Sequence, residues 1–394
     1  MKIAWASNAP WAPTGYGQQT AMFVPRFQAA GHDVAVTANF GLQGSSMEWE
    51  GTRVYPASYE YSNDMIPAHA LHHFNGEPGL LMFLYDAWAI RSELYGEMNT
   101  AVWCPIDHMP TPPLVVKHFK EYGSIPIAMS RFGQQQLERS GLDPLYVPHG
   151  IDTNVFTPHP TRDAKIKCGM DPDKFVVGVV ANNKGMAPSR KAFPEMFTAF
   201  TVLNRIAPDT HLYVHSDWKV KDGLDLQALA AARDIPVDAI TFADQYRLKS
   251  GSITADDMSW IYSAFDVLLF TSMGEGFGIP ALEAQACGTP VIVTDFSAQS
   301  ELVAPDAGFT VEGQLWWDEL QKADFAIPMI EQIVEKLRFA YEHRDKLETR
   351  LAGPCRDFAL GYDADRVMAD HWMPALAEIE DRLNLSPLSV APIR

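Results

Sequence analysis

Cysteine is scarce in this chain. Its four residues, Cys104, Cys168, Cys287 and Cys355, lie far apart, with no C-x-x-C pair and no histidine spaced to complete a zinc site. That excludes a disulfide framework and a structural zinc module, and it predicts a reducing, cytoplasmic compartment. Long apolar runs are also missing: no stretch of about eighteen residues is free of charge or chain breakers, as a membrane-spanning helix requires. The amino terminus, Met1 to Ser7, is apolar only briefly before Asn8 and Pro10, which reads as a first strand and not as a signal peptide. Positive charge is in deficit, with 31 lysines and arginines against 49 acids and a net charge of −18. Broad attraction to nucleic acid or to an anionic membrane is disfavoured, because both depend on summed positive potential. What remains is the composition of a globular protein, 47% hydrophobic and 20% charged, and its 394 residues predict two domains, each with its own core.

The opening alternates strand, turn, helix and strand. Lys2 to Ser7 reads as a strand, Asn8 to Gly17 as a turn-rich loop, Gln18 to Ala30 as a helix and His32 to Thr37 as the next strand, a βαβ unit. Phe23, Phe27 and Ala30 share one helical face, Gly31 suits the left-handed closing position, and Pro25 is expected to kink or shorten the helix. Further strands are expected at Leu80 to Tyr85, Thr100 to Pro105 and Ile125 to Met129, the last followed by Ser130 as the cap of a helix stopping at Gly141. These strands end at Asp86, at Asp107 and His108, and at Ser130 and Arg131, where an open parallel sheet places its ligands. Tyr146 to Pro160, rich in Pro, Gly and Asp, reads as a linker. A second series then starts, with strands at Phe175 to Val180, His211 to His215, Ala239 to Phe242, Asp266 to Phe270 and Pro290 to Thr294, and helices including Phe193 to Ile206 and Ala255 to Ala264. Such alternation implies a parallel sheet with helices on both faces. The final stretch, Asp363 to Leu383, is amphipathic.

The most informative segment runs from Leu268 to Thr294, LLFTSMGEGFGIPALEAQACGTPVIVT. A strand ends at Phe270, a Gly-rich loop follows, Pro280 marks the first helical turn, and Gly288-Thr289-Pro290 turns the chain into the next strand. Glu275 lies in the loop and Glu283 about one turn into the helix, so both acids can point toward one pocket at the strand ends. Gly276 and Gly278 permit a ligand to approach backbone N–H groups near a helix amino terminus, where partial positive charge favours phosphate.

This block resembles the E-x7-E signature of retaining glycosyltransferases of the GT-B fold, in particular glycosyltransferase family 4. The nested form E-G-F-G-I-P-A-L-E-A-x-A-C-G-T-P-V-I matches in its glycines, proline and both acids. The resemblance implies an α/β architecture of two Rossmann-like domains with parallel sheets facing each other across a cleft. Residues 1–160 would form the acceptor-side domain, 161–360 the nucleotide-sugar-binding domain, and 361–394 a terminal helix packing back on the first. It implies that Glu275 binds donor-sugar hydroxyls, that Glu283 holds the ribose, and that backbone from Gly276 through Phe277 and Gly278 to Ile279 binds sugar or phosphate. Gly15-Tyr16-Gly17 resembles the family's glycine-rich loop that approaches the donor phosphate. Ser189-Arg190-Lys191 resembles its basic pair, whose charge would stabilise a leaving diphosphate. The family's Gly-Arg after that strand is replaced here by Ala181-Asn182-Asn183-Lys184, which leaves Arg190 and Lys184 as candidates for the second cation. His108 matches the family's active-site histidine, Val147 to Phe156 its hinge, and Asp244 to Tyr246 the place where the nucleobase rests. The likeness is weakest from Phe40 to Gly79, where such enzymes build the acceptor pocket.

The implied reaction is transfer of a hexose from a UDP- or GDP-linked donor to a hydroxyl of a glycan, lipid, metabolite or modified nucleic acid, with retention. Attack comes from the front face: the leaving phosphate oxygen takes the acceptor's proton, Arg190 and Lys191 stabilise it, and His108 and Glu275 orient the sugar. No cofactor and no metal is expected. Asp363-Ala364-Asp365, although a D-x-D, reads as the acidic opening of the last helix. The alternatives are a nucleotide-sugar epimerase or a non-catalytic sugar-binding protein on the same scaffold. Tyr59, Tyr61, His69, His72 and His73 suggest a ring platform or a surface loop.

Overall fold

Apolar runs bounded by Gly, Pro and Asn fold, in the computed structural model of the chain, into two parallel sheets flanked by helices. The structure describes residues 1–96, 98–185, 188–305, 307–345 and 352–383. Chain contacts divide it into unit 1 (Met1–Gly150, Leu320–Ala323 and Ala364–Arg394) and unit 2 (Ile151–Glu319 and Asp324–Asp363).

Unit 1 contains β1 (Lys2–Asn8), α1 (Gly15–Ala29), β2 (Asp33–Phe40), β3 (Met47–Trp49), β4 (Thr52–Tyr55), α2 (Ile66–Phe74), β5 (Gly79–Leu84), β6 (Asn99–Cys104), α3 (Pro113–Tyr122), β7 (Ile125–Ala128), α4 (Arg131–Arg139) and β8 (Leu145–Tyr146). The sheet order is β3-β4-β2-β1-β5-β6-β7-β8. Every pairing is parallel except the β3–β4 hairpin. A parallel sheet is covered on both faces, which is why β5 is buried at every position. Trp5, Phe23, Phe27, Trp103 and Trp372 form an edge-to-face aromatic core, each ring burying apolar area on the order of 1.5–3 kcal/mol.

Three expectations need correction here. Gly15-Tyr16-Gly17 is not a loop: it is the first turn of α1, because Thr14 caps the helix by accepting from the Gly17 N–H at 3.0 Å. Pro25 does not shorten α1, which continues to Ala29 with Gly31 at φ +91° beyond it. Phe23 and Phe27 are buried as expected, but Ala30 lies past the helix and is exposed.

Unit 2 contains α5 (Thr161–Lys167), β9 (Phe175–Val180), α6 (Phe193–Ile206), β10 (Thr210–His215), α7 (Leu226–Ala232), β11 (Ile240–Phe242), α8 (Gln245–Lys249), α9 (Ala255–Ser263), β12 (Val267–Phe270), α10 (Ile279–Ala286), β13 (Val291–Thr294) and β14 (Phe309–Val311). Its all-parallel sheet has the order β11-β10-β9-β12-β13-β14. A two-stranded sheet, β15 (Gly313–Asp318) with β16 (Ala323–Pro328), and α11 (Ile330–Glu342) follow. Along α6, Phe193, Met196, Phe197, Phe200 and Leu203 recur at helical spacing and all enter the core beneath β9 and β10. Lys165 is almost fully buried, yet its ammonium meets Asp266 at 2.7 Å, and Asp266 also accepts from the Val176 N–H at 2.6 Å. The pair ties α5 to the start of the sheet and satisfies a charge that burial alone would not tolerate.

Candidate active site

In unit 2 the strand order reverses between β9 and β12, so the loops leaving these two strands meet above the sheet. The first loop carries Ser189, Arg190 and Lys191, and ends at Ala192, whose left-handed backbone (φ +52°) starts α6. The second carries Met273 to Gly278. The loops are stitched by backbone, since the Met273 N–H donates to the Arg190 carbonyl at 2.8 Å. Side chains complete the contact. The Lys191 ammonium donates to Glu275 Oε1, and Arg190 Nη1 donates to Glu275 Oε2 at 3.3 Å and to the Gly274 carbonyl at 2.5 Å.

Glu275 is 7% exposed. Burial alone would raise the pKa of its carboxyl, but the charges of Lys191 and Arg190, with hydrogen bonds from Lys191 and Ser272, outweigh burial and hold it below the ordinary range. It is therefore an anion at neutral pH, flanked by two cations. Ser297, itself at φ +58°, accepts from the Glu275 N–H at 2.9 Å and fixes the acidic residue from the far side.

Glu283 has a different setting. It lies within α10, 6% exposed, and among the described residues it has no ion-pair partner. Burial pushes its pKa up to about 7, opposed by the Tyr262 hydroxyl, which donates to Oε2 at 2.7 Å. Two carboxylates eight residues apart are thus shifted in opposite directions, because cations outweigh the burial of Glu275 while only a phenol opposes the burial of Glu283. Gly278 precedes α10 at φ +125°, and a Cβ there would lie 3.2 Å from the Phe270 ring and 3.3 Å from Leu302. With Pro280 in the first turn, Gly276 and Gly278 place backbone without a side chain beside the amino terminus of α10, a geometry suited to anions.

The remaining candidates lie on other elements. Lys184 is exposed in the loop after β9. Tyr246 is 81% exposed on α8, after the edge strand β11, two strands removed from the β9–β12 switch. In unit 1, Gly15, Tyr16 and Gly17 open α1 beyond β1; a Cβ on Gly17 would fall 2.3 Å from the Ala12 carbonyl oxygen, so packing alone requires glycine there. His108, 4% exposed, follows β6 and its Nδ1 lies 2.6 Å from Asp107 Oδ1, which fixes the ring. Of the D-x-D, Asp363 accepts from the Thr153 hydroxyl and Asp365 pairs with Arg26 at 2.8 Å. Sequence reading missed Tyr262, Ser272 and Ser297. Tyr262 belongs to an ordinary amphipathic helix, and a non-glycine residue at positive φ leaves no trace in the sequence.

No helix among the described residues is long and apolar enough to cross a membrane. Comparison with known proteins gives a match of residues 244–323 to the model of glycosyl transferases group 1, which covers β12, the Glu275 loop and α10. A D-inositol 3-phosphate glycosyltransferase of Paenarthrobacter aurescens (strain TC1) is 31% identical over 186 residues, 44% of this chain and 41% of that relative. The match thus spans less than half the length of that curated relative. Among solved structures, sucrose-phosphate synthase from Thermosynechococcus elongatus superposes with a TM-score of 0.71 at 18% identity, covering 98% of this chain and 100% of that one. Anabaena HepE in complex with UDP-glucose gives a TM-score of 0.71 at 15% identity, covering 96% and 100%. The chain has the GT-B fold, and its segment 244–323 matches the model of glycosyl transferases group 1.

Proposed function

We propose that the chain is a retaining glycosyltransferase that moves a hexose from a nucleoside diphosphate sugar to a hydroxyl acceptor. The observation that carries the reading is the convergence of Lys191 and Arg190 on Glu275 where the unit 2 strand order reverses. Departure of a nucleoside diphosphate from an anomeric carbon concentrates negative charge on the leaving oxygen, and preorganised cations lower that barrier more than any other single device. A diphosphate beside Lys191 and Arg190 competes with Glu275 for the same N–H donors, leaving the Glu275 anion to receive sugar hydroxyls and to stabilise an oxocarbenium-like centre. Glu283, held by Tyr262 one turn into α10, serves the ribose. His108, fixed by Asp107, orients the sugar, and the acceptor proton passes to the leaving phosphate oxygen.

The HepE complex contains UDP-glucose and the Paenarthrobacter relative is named for an inositol phosphate acceptor; both favour a UDP-linked hexose donor and a polyol or sugar hydroxyl as acceptor. Purified protein is tested by nucleoside diphosphate release from UDP-glucose, UDP-galactose, UDP-N-acetylglucosamine and GDP-mannose, with and without added acceptor hydroxyls. The expected result is release above the buffer rate with one donor, abolished in Lys191→Ala. Absence of release with all four, together with no calorimetric binding of UDP or GDP, would reject the reading.

A further inference from the structure

Unit 1 carries a feature that transfer from the donor does not use. After β4 the chain passes through Glu60, Tyr61 and Ser62 at φ +45°, +59° and +62°, three consecutive left-handed residues with no glycine among them. Such a run costs free energy and persists only where surrounding bonds over-determine it, a pattern concentrated at binding sites. Here the restraints are specific. The Ser62 hydroxyl donates to the Ala38 carbonyl at 3.0 Å and accepts from the Ser58 N–H at 2.9 Å, and the Tyr85 hydroxyl donates to the Tyr61 carbonyl at 2.8 Å. Asn63, 3% exposed, donates to the carbonyls of Glu60 and Ala89 at 2.8 and 2.9 Å and accepts from the Arg91 N–H at 2.9 Å. One buried amide thus locks the turn after β4 to the segment after β5.

The two locked segments each present an aromatic ring. Tyr61 is 51% and Trp88 41% exposed, and their rings meet edge to face with centroids 6.1 Å apart. Both follow carboxyl ends of strands, where an open parallel sheet takes its ligands. Beside them Asn39, at the end of β2, lies against the Tyr85 hydroxyl, and its own Oδ1 is buried without a partner among the described residues.

Charge selects the ligand. Among the described residues, the loops leaving β1, β2, β4, β5 and β6 hold one lysine or arginine, Arg91, and it is paired with Glu60. The same loops carry Asp64, Asp86 and Asp107. A phosphate or sulfate group would meet net negative charge there. An uncharged sugar ring, with one apolar C–H face and hydroxyls at its rim, fits a rigid aromatic pair bordered by hydrogen-bond acceptors.

We propose that Tyr61 and Trp88 form a preorganised stacking platform for an uncharged saccharide acceptor, and that this face discriminates against phosphorylated sugars. The assignment rests on the transferase reading. It is tested by saturation-transfer NMR on the full chain with methyl α-glucoside, methyl α-mannoside, methyl β-galactoside and lactose, and with glucose 6-phosphate and galactose 6-phosphate as charged counterparts. Binding of at least one neutral glycoside is expected, with the strongest transfer on ring C–H protons. Affinity should fall tenfold or more in Tyr61→Ala and Trp88→Ala but stay within threefold in Tyr61→Phe and Trp88→Phe, which keep the rings if the alanine variants fold poorly. Binding of no neutral glycoside, tighter binding of the phosphosugars, or alanine variants that bind normally would each overturn it. Donor hydrolysis and calorimetric binding of UDP and GDP, measured on the same samples, separate the two claims: hydrolysis without saccharide binding removes the platform alone, and saccharide binding with neither donor hydrolysis nor UDP or GDP binding removes the transferase reading and leaves a saccharide site that is not an acceptor site.

Discussion

Lys191 and Glu275 stand 84 residues apart in the chain and share a direct ion pair, with their backbones already joined through the neighbouring Arg190 carbonyl and Met273 N–H. The two loops are held by the sheet's strand order before any side chain contributes, so the pair is placed, not recruited. Removing either partner should cost function and leave an unbalanced buried charge. Lys191→Ala and Glu275→Ala are expected to lower turnover by about two to three orders of magnitude, the size of losing one preorganised charge contact. Urea denaturation should separate catalysis from stability. Lys191→Met leaves the buried carboxylate with Arg190 as its remaining cation, whereas Lys191→Met with Glu275→Gln removes both members of the closer pair, so the double variant should be less destabilised than the sum of the singles. Strict additivity would mean the pair is not coupled.

Glu283 predicts an inverted pH response. Its folded pKa of about 7 lies above the ordinary value of 4.5, so the folded state holds its proton more tightly than the unfolded chain does. The stability associated with that proton is fully present below about pH 4.5, declines as the pH rises, and is gone above about 7. The span of 2.5 pH units corresponds to an effect on the order of 3 kcal/mol. Glu283→Gln removes the titration, so the melting temperature of the wild type relative to this variant should fall between pH 5 and pH 8. A constant difference across that range would refute the assignment. Donor binding should run the other way, tightening above pH 7 as the carboxylate becomes able to accept two ribose hydroxyls.

Legibility followed periodicity. Phe175–Val180 and Phe193–Ile206 match their expected limits because each is a long uninterrupted pattern, one of buried β-branched residues and one of apolar residues at helical spacing. The Glu275 loop was legible because glycine, proline and acid positions in that motif each have a separate steric or electrostatic reason. The region from Phe40 to Gly79 was not. Its hairpin β3–β4 is only three and four residues long, and its His69, His72 and His73 sit on α2, where His69 stacks on Tyr55 at 4.7 Å and His72 accepts or donates at 2.7 Å to the Tyr55 hydroxyl. Tertiary packing, not local pattern, decides such short elements. Nor does a sequence announce that Thr14 caps a helix two residues before Tyr16, turning an expected loop into a first helical turn.

Gly278 offers a test of the loop that sequence alone could not design. Its φ of +125° is closed to side-chain-bearing residues, and the space for a Cβ is bounded by the Phe270 ring and Leu302. Gly278→Ala is therefore expected to cost about 1–3 kcal/mol of stability and to move the N–H groups at the start of α10. Loss of UDP affinity in this variant, measured by calorimetry below its melting transition, should exceed the loss in Gly31→Ala. Gly31 also has positive φ (+91°), but its Cβ position is open. Equal effects in the two would show that strain alone, and not the approach of backbone to ligand, governs the change.

Trp372 tests the core of unit 1 independently of chemistry. Its ring touches Trp5, Phe23, Phe27 and Trp103 at centroid distances of 6.0, 5.9, 5.1 and 4.8 Å, and it is wholly buried. Trp372→Ala leaves a cavity among four rings and should cost about 3–5 kcal/mol. The indole N–H, however, has no hydrogen-bond partner among the described residues, and an unmet buried donor carries a desolvation penalty of about 1–3 kcal/mol. Trp372→Phe loses volume but also removes that donor, so its cost should be well under half that of the alanine variant. Denaturation midpoints at equal m-value would read this directly, and a phenylalanine variant as unstable as alanine would show that the indole N–H is satisfied in solution.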